Sequence, residues 1–127
     1  MTAIFYRAAV LLTLMTTAAS AQQGLSGADI QKLLKNKRVS LSCIDGTSGA
    51  GKYTMARNFG LIKGNYTKAG AKPVSDTGIV RAQGNNLCVR FEVLNAGNEN
   101  CFDVLQTGRG QFQFSFSGVK ACTLSAL

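Results

Sequence analysis

Gln111-Phe112-Gln113-Phe114-Ser115-Phe116-Ser117 sets an aromatic ring against an amide or hydroxyl at every step. Successive side chains of a β-strand point to opposite faces, so this period of two predicts a strand with three Phe on its core side and Gln and Ser on the other. We read the Phe face as core rather than as a ligand-stacking surface. The same alternation runs from Leu87 to Leu94, where Leu87, Val89, Phe91 and Val93 share one face and Cys88, Arg90 and Glu92 the other. Further short candidates are Val39 to Ile44, Tyr53 to Phe59, Ile79 to Ala82, Cys101 to Leu105 and Val119 to Leu124, with Gly or Asn between nearly all of them. The pattern is a meander of tight turns.

One helix precedes the strands. Ser26 offers an N-cap hydroxyl, Asp29 stands three residues on, and Ile30, Leu33 and Leu34 follow at helical spacing. Lys32, Lys35, Lys37 and Arg38 crowd the far end, where the helix dipole favours cations. About seven short antiparallel strands and one N-terminal helix of about ten residues imply a small β-barrel or strongly curved sandwich. A five-stranded oligonucleotide/oligosaccharide-type barrel is the alternative.

The first 21 residues read as an export signal: Arg7, an apolar run from Ala8 to Met15, then Ala19-Ser20-Ala21 as a cleavage site. The expected mature chain, 22–127, is a single domain of 106 residues with no transmembrane segment, placed in the periplasm or secreted. A chain of this length buries only about 60 to 65% of its unfolded surface, so covalent help is expected. Cys43, Cys88, Cys101 and Cys122 can provide it in an oxidising compartment. Four cysteines allow three pairings. The loop around Asn95 and Gly97 lets Cys88 and Cys101 face each other across a hairpin, on the outer face beside Arg90 and Asp103, which leaves Cys43 for Cys122. A four-Cys zinc site would need close CxxC pairs, which are missing, and neither metal nor cofactor is expected.

Leu25-Ser26-Gly27-Ala28-Asp29-Ile30, Asp45-Gly46-Thr47, Asp76-Thr77-Gly78, Leu87-Cys88-Val89 and Cys101-Phe102-Asp103-Val104 resemble a family of short exported, periplasmic small β-barrel proteins of alphaproteobacteria with no assigned biochemical role. The resemblance implies an all-β periplasmic domain with a disulfide across the Leu-Cys hairpin, and it brings no catalytic residues. The chain departs from that pattern in having Ile79 and Val80 where a Trp usually follows the Asp-Thr-Gly turn, and in carrying Cys43 and Cys122.

Catalytic readings are thin. The chain has no His, hence no Ser/His or Cys/His pair. Gly46-Thr47-Ser48-Gly49-Ala50-Gly51-Lys52 matches the G-x-x-x-x-G-K core of a phosphate loop. Tyr53 then stands where a Ser or Thr would hold magnesium, so we read a flexible Gly-rich connection between two strands. Of the six carboxylates, Asp29 reads as a cap, Asp45 and Asp76 as turn residues, and Glu92, Glu99 and Asp103 as partners of Arg90 and Arg109. We expect no enzyme.

Charge carries the functional reading. Residues 30–72 hold Lys32, Lys35, Lys37, Arg38, Lys52, Arg57, Lys63, Lys68 and Lys72 against Asp45 alone, whereas 73–127 hold four charges of each sign. Tyr53, Phe59 and Tyr66 are interleaved there, as in a nucleic-acid binder. Export favours anionic envelope lipids or glycans over nucleic acid. The expectation is a non-enzymatic envelope binding module for an anionic ligand or surface, with Lys32, Lys35, Lys37, Arg38, Lys52 and Arg57 as the anion-binding set. The alternative is an inhibitor or accessory subunit that docks on an exported enzyme or receptor through a loop such as Lys63 to Asp76. Intact mass of the exported protein should give a chain that starts at Gln22; a chain that keeps Met1 would refute the signal.

Overall fold

The computed structural model of the protein describes residues 25–126; the signal expected over 1–21 lies outside them. Helix α1 (Gly27–Leu34) leads into eight strands: β1 (Arg38–Cys43), β2 (Ser48–Met55), β3 (Gly60–Thr67), β4 (Val74–Gln83), β5 (Asn86–Phe91), β6 (Glu99–Gly108), β7 (Gln111–Phe116) and β8 (Val119–Ala126). Each strand pairs antiparallel with the next, and β1 closes on β8 to make a barrel. The barrel reading holds, with eight strands in place of about seven, and neither the sandwich nor the five-stranded barrel is formed.

The extra strand is β3, whose second half overlaps the expected loop Lys63 to Asp76, and the strand expected at Tyr53 to Phe59 is β2, which begins earlier, at Ser48, and ends at Met55. The Gly-rich run is therefore largely strand: Ser48 to Lys52 pair with β1 on one side and β3 on the other. Their amides are spent on ladders and cannot cradle a phosphate. Glycine is needed on these strands because two Tyr rings fill the barrel beside them. A Cβ on Gly60 would strike the Tyr53 ring, and one on Gly49 the Tyr66 ring. Tyr53 and Tyr66 are fully buried. The Tyr66 hydroxyl lacks a hydrogen-bond partner, and burial pushes its phenol well above the usual range, the Asp76 carboxylate adding to the shift. Ring burial outweighs that loss, since a fully buried aromatic side chain contributes about 2–3 kcal/mol.

The helix starts as the sequence predicts, with the Ser26 hydroxyl accepting from the Asp29 N–H at 3.1 Å. Ile30 and Leu34 are buried, Gln31 donates to the Val80 carbonyl at 3.1 Å, and the Gly27 N–H reaches the Gly84 carbonyl at 2.9 Å. Gly84 lies in the β4–β5 turn, so α1 closes the end of the barrel that also carries the β2–β3 and β6–β7 turns. Along β7 the rings grade from Phe112 in the core to Phe116, 48% exposed, at the opposite end.

At that opposite end Asp76 is a holding group rather than a turn residue. It lies within β4, buried, and its carboxylate accepts from the backbone N–H groups of Glu92, Val93 and Leu94, the last at 2.7 Å. This pins a loop whose Asn95 and Ala96 have φ of 56° and 52°, a left-handed conformation that costs non-glycine residues energy. The proposed docking segment Lys63 to Asp76 is likewise mostly sheet; only residues 68–73 form a loop.

Both disulfides pair as read, Cys43–Cys122 across a separation of 79 residues and Cys88–Cys101 across 13. Such bridges fit an oxidising, non-cytoplasmic location. Among the described residues no helix is long and apolar enough to cross a membrane. Chain-entropy arguments assign about 4.5 kcal/mol to the longer closure and about 3 to the shorter. Ser at Cys43 and Cys122 should therefore lower the melting temperature more than Ser at Cys88 and Cys101; the reverse order in thermal melts would refute the ranking.

Candidate functional site

The six cations singled out in the sequence converge on the closed end. Lys32 lies in the last turn of α1 and Lys35 caps it. The connection to β1 runs beside β2, because the Asn36 N–H donates to the Tyr53 carbonyl at 2.8 Å and the Tyr53 N–H donates to the Lys37 carbonyl at 2.9 Å. Arg38 then stands directly opposite Lys52, and Lys52 opposite Lys63. All three alternate with inward-facing residues and are exposed. Arg57 lies in the β2–β3 turn at the same end. Lys63 is the member that the anion-binding set omitted; its register against Lys52 could only be read once β3 was known to be a strand.

This row is electrostatically unfavourable. Like charges placed directly opposite on neighbouring strands destabilise a sheet, and here three stand in line. No carboxylate relieves them: β7, β8, β1, β2 and β3, five consecutive staves of the barrel, contain no Asp or Glu. Among the described residues the one ion pair is Arg81–Glu99, 2.6 Å between Nη2 and Oε1, on the β4–β6 side of the wall. That pairing corrects the expectation that Glu99 would serve Arg90 or Arg109, although Arg90 does stand opposite Glu99. The Arg81 contact holds the Glu99 carboxyl below its usual range, first through the hydrogen bond and then through charge.

The other carboxylates have local tasks. Asp29 sits in the first turn of α1, where the helix dipole favours an anion. Asp45 accepts from the Thr47 N–H at 2.9 Å, which, with Lys68 a smaller contributor, holds its carboxyl low. The Cys88–Cys101 bridge lies on the outer face between the Arg90–Glu99 and Asn86–Asp103 pairs, as the alternation implies. Its sulfurs are consumed in the bond, so neighbouring Glu99 gains no thiolate partners for a metal.

Two apolar side chains break the surface among the cations: Leu33 on α1, 43% exposed, and Phe59 in the β2–β3 turn, 38% exposed. The closed end thus combines cations that form no ion pair among the described residues, Asp29 being on the same helix as Lys32, with rings or branches facing water.

No protein-family model matches the chain, and no curated protein matches it. Among solved structures it is similar to a redesigned beta barrel, at 17% identity and a TM-score of 0.49, over 76% of this chain and 91% of the other. That likeness is too distant to bear on function.

Reversing one charge tests the row. Lys52→Glu gives alternating signs between Arg38 and Lys63 and should raise stability to urea by up to about 1 kcal/mol, with Lys52→Thr intermediate. If Lys52→Glu leaves stability unchanged or lowers it, the row carries no repulsion.

Proposed function

We propose that the protein is an exported, non-enzymatic binding module of the cell envelope, periplasmic or secreted, that rests on an anionic lipid surface by its closed end. The likeness to short exported alphaproteobacterial barrels belongs to the same proposal. One observation supports it above the rest: Arg38, Lys52 and Lys63 stand opposed in register with no carboxylate on their strands or on the two strands beyond β1. A merely soluble surface intersperses both signs. Here the repulsion persists in the free protein and is relieved by an external polyanion. Leu33 and Phe59 add apolar contact at the depth of lipid headgroups.

Each cation held near an anionic leaflet is worth about 1 kcal/mol. Replacing Lys32, Lys35, Lys37 and Arg38 by Gln should therefore cut sedimentation with phosphatidylglycerol-containing vesicles by on the order of a hundredfold or more. Phosphatidylcholine vesicles should retain little of either protein, and binding should fall steeply with salt. The control, Lys72, Arg90 and Lys120 to Gln, removes three charges away from the closed end and should bind nearly as wild type. Equal loss in both variants would reduce the effect to net charge, and salt-resistant binding would point to a protein partner; either result overturns the proposal.

A further inference from the structure

At the end opposite α1 the barrel is open. A cavity of about 340 Å³ descends from there, within the range of about 300–1,000 Å³ typical of small-molecule sites. Its walls are apolar, built from Leu41, Val89, Phe91, Phe102, Phe114 and Leu124. These come from β1, β5, β6, β7 and β8, one or two inward residues from each strand.

The walls cannot collapse to fill this space. Every strand is hydrogen-bonded to two neighbours around the closed barrel, the Cys43–Cys122 bridge forms part of the lining, and Asp76 fixes the loop above it. Deep in the cavity water is a poor occupant, because an ordered water needs two to four polar partners and the walls below the rim offer few besides Asn100. An eight-stranded barrel is wide enough for one small ligand. The occupant must bring an apolar body.

Polar groups lie mostly toward the rim, with Asn100 deeper, opposite Val89, and they say what the other end of the occupant carries. Lys68, Asn95, Asn98 and Asn100 line the opening. Lys68 has no carboxylate within 4.0 Å among the described residues. Asp45, the acid at the rim, accepts from the Thr47 N–H and lies near enough to Lys68 to feel its charge, but forms no ion pair with it. Ile44 and Phe116, both exposed, also line the opening and make an apolar approach to it.

We propose that the open end binds a single-chain amphiphile with an anionic head, the chain lying among Phe91, Phe102 and Phe114 and the head at the rim beside Lys68. The site is separate from the closed end and does not depend on its reading. The head is a carboxylate, as in a free fatty acid, or a phosphodiester, as in a lysophospholipid.

The oxidised mature protein would be titrated with dodecanoate, lysophosphatidylglycerol and dodecanol, each below its micelle concentration, by calorimetry and amide NMR. Saturable binding is expected, with shifts at residues around the open end. Tighter binding of dodecanoate or of the lysolipid identifies the head, and both support the site. Val89→Phe and, independently, Leu41→Trp fill the cavity and should weaken all three ligands at least about tenfold. Lys68→Gln should weaken the two anions at least about fivefold and leave dodecanol nearly unchanged. The wild-type shift map decides the location even if a filling variant misfolds. No saturable binding, shifts at the closed end, full affinity in folded filling variants, or equal weakening of dodecanol by Lys68→Gln would each overturn the assignment.

Discussion

Closure of β1 on β8 is the constraint on which the rest depends. The seam runs from Val39 against Ala126 to Cys43 against Cys122, and it turns a twisted sheet into a tube without edges. Opened there, the sheet would present two unpaired strands to other chains and bare the aromatic interior to water. The disulfide locks the seam at the open end, and at the closed end the Ala126 N–H donates to the Gly110 carbonyl at 2.7 Å, tying the end of β8 to the β6–β7 turn. The glycine-bearing wall of β2 and β3 is complementary to this closure, since the space that side chains would need is occupied by Tyr53 and Tyr66 at Gly60 and Gly49 and by the facing backbone at Gly51 and Gly64.

A tube has two ends, and in this chain they differ chemically. The helix fills one with Ile30 and Leu34 and spreads cations around them. The other is left open over rings graded from Phe112 outward. Their separation follows from the meander, because turns alternate strictly between ends: the β2–β3, β4–β5 and β6–β7 turns lie beside the helix, and the intervening ones ring the opening. A basic connection placed before β1 therefore cannot reach the opening, whatever its charge.

The period-two strands β5 and β7 and the capped helix were legible because each carries a local signal: alternation over six residues, or a hydroxyl three residues before an acid. Strands β2 and β3 were not legible as they stand. Gly49, Gly51, Gly60 and Gly64 occupy inward positions where apolar residues normally mark a core face, so the alternation is written in absent side chains and is visible only beside the Tyr rings and the close backbone that use the space. Asp76 was misread for a related reason: Asp before Thr-Gly is common in turns, and only the fold brings residues 92–94 to its carboxylate. Of the closed end, the cations could be listed from sequence, but their mutual opposition needed the register of β3. The cavity had no signature at all, because its lining residues lie far apart in the chain and each looks like ordinary core.

Strand order also governs how such a chain acquires its cross-links. Seven of the eight pairings join sequence neighbours, and the eighth spans the domain. A chain emerging N-terminus first can form hairpins as they arrive, while the loop entropy of the last pairing is met only when β8 appears. Cys88 meets its partner 13 residues later, whereas Cys43 waits through 79. There is thus an interval, after Cys88 has emerged and before Cys101 follows, when the thiol of Cys43 is the only one that Cys88 can find. The β5–β6 register, which places Cys88 and Cys101 opposite each other, ends that interval when the second strand pairs, and the seam then sets Cys43 opposite Cys122.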